Sequence, residues 1–450
     1  MKSPFFFGIP VLKTIHFTFG ALFCMLFYTC QKEPGAVLSH WNTTVVEVCT
    51  FGGSLNDSAK AVVATSDGGF AVLGHTQSED GLLLEKGNKS FDFWLLRFDE
   101  KGVLLWHKTY GGLGDDRGTD LVLRSEGGFV MLGSFESVID GESSINVGLV
   151  AVDEEGVLLW EKAYGYKGSD YGTKLIATSE GGYLIVGVLD VTASKGLGNQ
   201  IGKHAGGDFW VIKVDSQGAL QWRNYFGGLQ SDTPYGVAED KDGGFWIVGT
   251  TDSTDTDISQ NLGSYDAWVV RLDRTGKKIW ERTLGGAQID AAYDIVLTTD
   301  GSALVLGDSR SPGQTMATNR GGADLWIWRL SPRGELVAEQ NFGGSNFDVG
   351  RAVFPLSNQQ WLVCGSSRSV DGDLSINNGQ NDAWTLVLSQ NTERIEWQQT
   401  IGGSQIEFLN DAAELANGTL VSVGETNSND AAIVKNQGFN DLLLILNLKQ

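Results

Sequence analysis

The chain has 450 residues, among them 60 Gly, 14 Trp and only 7 Pro, and a formal net charge of -22. That charge argues against nucleic acid or an anionic membrane face as a partner, because both need a basic patch to displace counterions. It fits an acidic coat that keeps an exported protein soluble, or a field that draws a cation.

The N-terminus reads as an export signal. Lys2 and Lys13 flank a very apolar start, and Ile15 to Tyr28, IHFTFGALFCMLFY, has the length of a signal-peptide core and is too short to span a membrane as a helix. The run ends at Cys30, with Leu26 four positions before it and Gln31-Lys32-Glu33 after it. The stretch resembles a bacterial lipoprotein signal, and its charged tail resembles the segment that follows the lipidated Cys in surface-exported lipoproteins of Bacteroidota-type bacteria. The resemblance implies a signal peptide over 1-29, lipidation of Cys30, a tether over 30-42 and an outer membrane lipoprotein facing the cell surface or the periplasm. Acyl chains contribute about 0.8 kcal/mol per buried methylene, so two or three hold a soluble domain at a membrane. The four cysteines do not form a disulfide framework: Cys24 lies in the leader, and Cys49 and Cys364 are expected to be small buried apolar residues on different repeats.

From residue 43 onward the chain repeats. VLLWHKTYGGLGDD, Val103 to Asp116, joins an apolar run with one Trp to a Gly pair and an acidic residue, and its variants place repeat starts at Gly52, Gly111, Gly165, Gly227, Gly285, Gly343 and Gly402. The spacings are 59, 54, 62, 58, 58 and 59 residues. Self-similarity at such a period marks a solenoid, a propeller or an array.

Within the first unit, Ser58 to Thr65 and Phe70 to Thr76 flank the turn Ser66-Asp67-Gly68-Gly69. A loop of some fifteen residues then leads to Asp92 to Asp99, the turn Glu100-Lys101-Gly102, and Val103 to Tyr110. These are four strands of a meander. In the third, Trp94, Leu96 and Phe98 share one face and Phe93 and Leu95 the other, so both faces need cover. Stacking the sheets around a ring covers them and protects the edges. The expected fold is therefore all-β, a seven-bladed β-propeller of four-stranded antiparallel blades over 43-450. A β-solenoid with shorter coils and polar caps is the alternative. The seventh unit supplies only three strands, ending with Asp441 to Leu448; Thr43 to Phe51 should complete blade seven from the N-terminus and close the ring. The fourth-strand Trp recurs as Trp160, Trp222, Trp280 and Trp397, but Glu47 and Ala338 occupy its place in units seven and five, and Trp326 or Trp328 is expected to fill the gap in unit five.

In units one to four the fourth-strand segment reads D-x-x-G-x-x-x-W-x-x-x-x-G, as in Asp153, Gly156, Trp160 and Gly165. This resembles the tryptophan-docking motif of quinoprotein-type propellers, and the whole repeat is similar to tandem propeller repeats of secreted and lipid-anchored bacterial proteins. The likeness speaks for fold, not activity. The adjacent cysteines that quinoprotein enzymes often carry near their cofactor are not in this sequence.

Alternate connections of a meander lie on opposite faces, so the tight DGG and DxxG turns share one face, and the long loops and Gly-pair loops share the other. The second is the candidate site. It carries a ring of Asp57, Asp116, Asp170, Asp232, Asp290, Asp348 and Glu407, and a second ring of Asp92, Asp208, Asp266, Asp324, Asp382 and Asp441 with Asn146. Such recurrence is the pattern of loop-holding hydrogen bonds; the functional alternative is a ligand held by the first ring, with Asp252, Asp255, Asp257, Asp371 and Asp373 of the long loops. Calcium is the candidate cation at Asp252, Asp255 and Asp257, although neither loop has a known calcium spacing. No cofactor is expected, and no catalytic residue is assigned: no GxSxG, HExxH or phosphate loop occurs, and His75, His107 and His204 lack metal-ligand spacing. The reading is a lipid-anchored binding or assembly module, a monomer that meets protein or glycan at the loop face. The alternative is a polysaccharide hydrolase or lyase using loop-face carboxylates. Units two and three depart most from the repeat, through Val138 to Val147 and Thr192 to Gly207, so a site should lie near them.

Overall fold

The structure, a computed structural model, describes residues 29–33, 43–139, 141–193, 204, 206–314, 318–433 and 435–449. The apolar leader core, most of the expected tether and much of the Thr192 to Gly207 loop lie outside the described residues.

Seven antiparallel sheets follow one another along the chain, and six contain four consecutive strands each. Blade one is built from Asp57–Ala64, Phe70–Thr76, Asp92–Phe98 and Leu104–Tyr110, within a residue of the sequence expectation. The first strand lies innermost and carries one extra residue in every blade, for example between Ala59 and Ala61 and between Gly118 and Asp120. Such bulges bend and twist the inner strand.

Closure follows the expected route. Glu407–Glu414, Leu420–Thr426 and Asp441–Lys449 form three strands of blade seven, and Thr43–Phe51 pairs with the last of them as the fourth. Phe51, Leu442 and Leu444 of blade seven then share one apolar cluster with Phe70, Trp94 and Phe98 of blade one. Asp411 accepts a hydrogen bond from the Val62 N–H at 2.9 Å across the same junction. The ends of the repeat array therefore meet, which a solenoid would not do.

Two features differ from the sequence reading. Thr29–Glu33 adds a fifth strand along the outer edge of Thr43–Phe51, in a register that sets Cys30 opposite Cys49. Cys49, expected as a small buried thiol, is disulfide-bonded, whereas Cys364 is a free buried cysteine. The departure of unit two from the repeat, expected around Val138 to Val147, is an extension of the hairpin Phe129–Ile139 and Glu142–Val152.

The fourth-strand indoles pack on the next blade. A β-carbon on Gly156 would stand 3.0 Å from the Trp106 ring, and Gly218, Gly276 and Gly334 are crowded in the same way by Trp160, Trp222 and Trp280. Each of these glycines has φ between 72° and 81°, so a side chain there would meet both backbone strain and an indole. Ala338 has no indole to offer blade six, and blade six has Thr392 rather than Gly in the corresponding turn, at φ 61°. The expectation that Trp326 or Trp328 fills this gap is not met. Both are buried on the opposite side of blade five, clustered with Trp246 and Val248 of blade four. Alternation along a strand fixes that side. Trp361 of blade six packs instead with Leu304 and Leu306 of blade five.

Candidate functional site

On the loop face, the first acidic ring is internal to the loops. Asp57, Asp116, Asp170, Asp232, Asp290, Asp348 and Glu407 are all at most 4% exposed. Asp57 accepts hydrogen bonds from the Gly53 N–H at 2.7 Å, from Ser78 Oγ at 2.8 Å and from Thr76 Oγ1. Asp232, Asp290 and Asp348 repeat the arrangement with Gly228, Gly286 and Gly344 and with Ser253, Ser311 and Ser369. Glu407 does so with Gly403 and Thr426. The signal lay in the sequence as a hydroxyl pair two residues apart at the end of the second strand: Thr76 and Ser78, Thr251 and Ser253, Ser309 and Ser311, Ser367 and Ser369, Thr426 and Ser428. Units two and three lack it, and there Asp116 and Asp170 take the backbone N–H groups of Glu136 and Asp190. Burial pushes the pKa of Asp170 and Asp232 up to about 6.

The second ring is buried as well. Asp324, Asp382 and Asp441 accept from backbone N–H groups four residues earlier at 2.8 to 2.9 Å. Their Oδ1 atoms, like those of Asp92 and Asp266, have no hydrogen-bond partner among the described residues.

The long-loop carboxylates are tied separately. Asp252 accepts from the Ser231 N–H at 2.7 Å, Asp255 from the Leu229 N–H at 3.0 Å, and Asp257 pairs with Lys278. Asp371 accepts from the Ser345 N–H at 2.7 Å, and Asp373 pairs with Arg320. Among the described residues no group of three or more His, Cys, Asp or Glu side chains could hold a metal ion.

Near the axis, Lys174 stands 3.4 Å from Asp120 and is also attracted by Asp411 and Asp294. Burial alone would lower the Lys174 pKa, but the carboxylates outweigh it and raise it. Burial pushes Asp411 up to about 7. Each of these aspartates also accepts a backbone N–H from the following blade: Leu175 at 2.7 Å, Val353 at 2.9 Å and Val62 at 2.9 Å.

A cavity of about 1030 Å³ opens on the other face, between blades five and six. Its walls include Leu297, Leu304, Leu356 and Trp361, with Asp300, Arg329, Arg394 and Glu396 and the amides of Asn358, Gln359, Gln360 and Gln390. Arg329 is the cross-strand neighbour of Ala338. In blades one and four, Arg97 and Arg271 stand at that position beside Trp106 and Trp280. The cavity therefore lies at the junction where the repeat omits its indole. The omission at Ala338 is visible in the sequence, whereas the cavity beside it is not.

The seven closed sheets define a β-propeller. No family model matches the sequence. Over 216 residues the chain is 27% identical to the regulatory protein FlaEY of Caulobacter vibrioides, an alignment covering 43% of this chain and 22% of that protein. The chain thus spans less than a quarter of that relative's length. Among solved structures it is similar to the Pan2 WD40 domain of Neurospora crassa, at 11% identity and a TM-score of 0.47, covering 94% of this chain and 96% of that one. A glucose dehydrogenase is similar at 11% identity and a TM-score of 0.40, covering 88% and 98%. A Bacteroides caccae protein of unknown function is similar at 10% identity and a TM-score of 0.40, covering 68% and 90%.

Proposed function

We propose that this propeller is an extracytoplasmic binding or assembly module whose partner, protein or glycan, enters the groove between blades five and six. The observation that carries the reading is the coincidence of the omitted indole at Ala338, the non-glycine turn at Thr392 and the cavity lined by Trp361, Arg329 and a rim of amides. The groove joins Trp361 and three leucines to charged groups and amides, so it can offer a partner both an apolar face and hydrogen bonds. The polysaccharide-enzyme reading has less support, since the loop-face carboxylates are spent as acceptors inside their own loops.

The test is a double substitution, Ala338→Trp with Thr392→Gly, which restores the repeat and fills the groove. Binding on a glycan array, and photo-cross-linking from position 358 in intact cells, should both be measured for parent and variant. Binding that survives the filled groove, with the fold intact, would place the partner elsewhere.

The anchoring part of the proposal rests on Cys30 and its signal-like surroundings. The disulfide at Cys49 supports an oxidising compartment, hence the extracytoplasmic part of the reading and not the anchor. Metabolic labelling with a clickable fatty acid tests the anchor, and label retained by Cys30→Ala would refute it.

A further inference from the structure

Blade one alone places a histidine at the loop-face end of its second strand. His75 occupies the position held by Ser134, Val188, Thr250, Asp308, Ser366 and Glu425 in the other blades. Its Nδ1 lies 3.2 Å from the Gly118 carbonyl oxygen of blade two, and its Nε2 lies 3.1 Å from Ser58 Oγ on the neighbouring strand. A carbonyl oxygen only accepts, so Nδ1 carries the proton and Nε2 presents its lone pair to the Ser58 hydroxyl. Phe91 meets the imidazole edge-on, with ring centroids 5.4 Å apart. Ser58, His75, Phe91 and Arg117 all line a cavity of about 220 Å³, and the Arg117 guanidinium lies 3.5 Å from the Phe91 ring centroid.

We infer that Ser58, His75 and the Gly118 carbonyl form a nucleophile, base and orienting group that hydrolyse small esters, with an acyl group no larger than this cavity. This activity goes beyond the binding role and uses a different part of the molecule. Ser58 Oγ attacks the ester carbonyl carbon while its proton passes to His75 Nε2. The bond from that carbon to the alcohol oxygen then breaks, and the Nε2 proton goes to the leaving oxygen. Water repeats the sequence on the acyl-Ser58 ester, releasing the acid and restoring the dyad. Gly118 O holds the Nδ1–H throughout, fixing the tautomer. Arg117 is the cation beside the carbonyl oxygen, and Phe91 is the apolar wall for the acyl chain. Burial, with Lys60 and Arg117 nearby, keeps the imidazole in its base form by lowering its pKa to about 3. So weak a base makes for slow turnover.

The test uses the purified full chain, a fluorophosphonate probe and p-nitrophenyl acetate. Ser58 should be the labelled residue in a peptide map. Ser58→Ala should abolish labelling, and His75→Gln should lower kcat/KM at least 100-fold. Thermal melting is recorded for both; Ser58→Ala removes a single oxygen, so it remains informative if His75→Gln does not fold. A parent protein that takes no label, or label and esterase activity that persist in Ser58→Ala, overturns the assignment. Neither outcome bears on the groove between blades five and six, which is tested by binding.

Discussion

Asp57 Oδ2 and Asp441 Oδ1, from the first and seventh blades, lie 2.6 and 2.5 Å from the point where a β-carbon on Gly52 would stand. The first glycine of the repeat is thus the gap between two buried carboxylates, and Gly111, Gly227 and Gly402 each sit between such a pair. Burial, with the neighbouring carboxylate adding to it, raises Asp441 to about 7 and Asp266, Asp324 and Asp382 to about 6. A carboxyl whose pKa is higher folded than unfolded binds more protons in the native state, so its ionisation opposes folding. Stability should therefore rise as pH falls from 8 to about 5.5, seen as a higher Tm. Asp441→Asn removes one of these ionisations, and Asn146 already occupies the equivalent place in blade two with its Nδ2 donating to Ser137 Oγ at 2.9 Å. The variant should melt above the parent at pH 8 and show a weaker pH dependence. A Tm that falls steadily on acidification would contradict the account.

Lys174 is the cation beside the buried carboxylates Asp120 and Asp294 and the half-buried Asp411 near the axis. Lys174→Met keeps the stem and leaves those charges uncompensated, a change that costs about 3–5 kcal/mol when a buried pair is broken. Urea denaturation at pH 8 should show a loss of that order. At pH 5.5 the loss should shrink, because Asp411 titrates near pH 7 and then carries a proton. An equal loss at both pH values would argue for packing rather than charge.

The ring closes through Phe51, which is fully buried and meets Phe98 edge-on with centroids 5.3 Å apart. Phe51→Ala should cost about 3–5 kcal/mol, the usual range for such a cavity. Deleting residues 41–51 should lower the Tm further, because it bares the edge of Asp441–Lys449 and separates the two ends of the ring. Melting curves of the two variants against the parent check both statements.

The fold was legible because its signals are local and repeated. An apolar pattern on both faces of Asp92–Phe98 demands cover, and seven copies of the Gly pair count the blades. The site was not legible for the same reason. Recurrence favours loop-holding hydrogen bonds for Asp57 and its counterparts, as their geometry shows, but it does not by itself reveal whether a carboxylate points to solvent or to its own loop, which keeps a ligand ring as an alternative. His75 gives no local signal, because its partners, Ser58 and the Gly118 carbonyl, come from another strand and another blade. The groove needed the register that sets Ala338 beside Arg329, which no single repeat contains.

Cys49 is disulfide-bonded, and Cys30 stands opposite it in the strand register. A cysteine joined to lipid has no thiol left for a bridge, so anchoring through Cys30 and a bridge through Cys30 are alternatives. Mass analysis of the mature N-terminal peptide, before and after reduction, separates them. A lipidated Cys30 gives a mass that reduction does not change. A bridge to Cys49 gives a linked peptide pair that reduction splits.

The omission at blade five can be reversed by design. Trp280 fits blade five because Gly334 leaves room for its ring, whereas Thr392 holds the corresponding place in blade six in a turn one residue longer, with Ser389 bonded to Arg394 rather than to the residue before it. Ala338→Trp alone should destabilise, since the indole meets a side chain where the repeat has none. Thr392→Gly alone relieves a positive φ and should be neutral or slightly stabilising. Together they should recover more than the sum of their separate effects, with a coupling of about 0.5–3 kcal/mol in a double-mutant cycle. Additive effects would mean that Ala338 and Thr392 do not share one interface, and would remove the link between the missing indole and the groove.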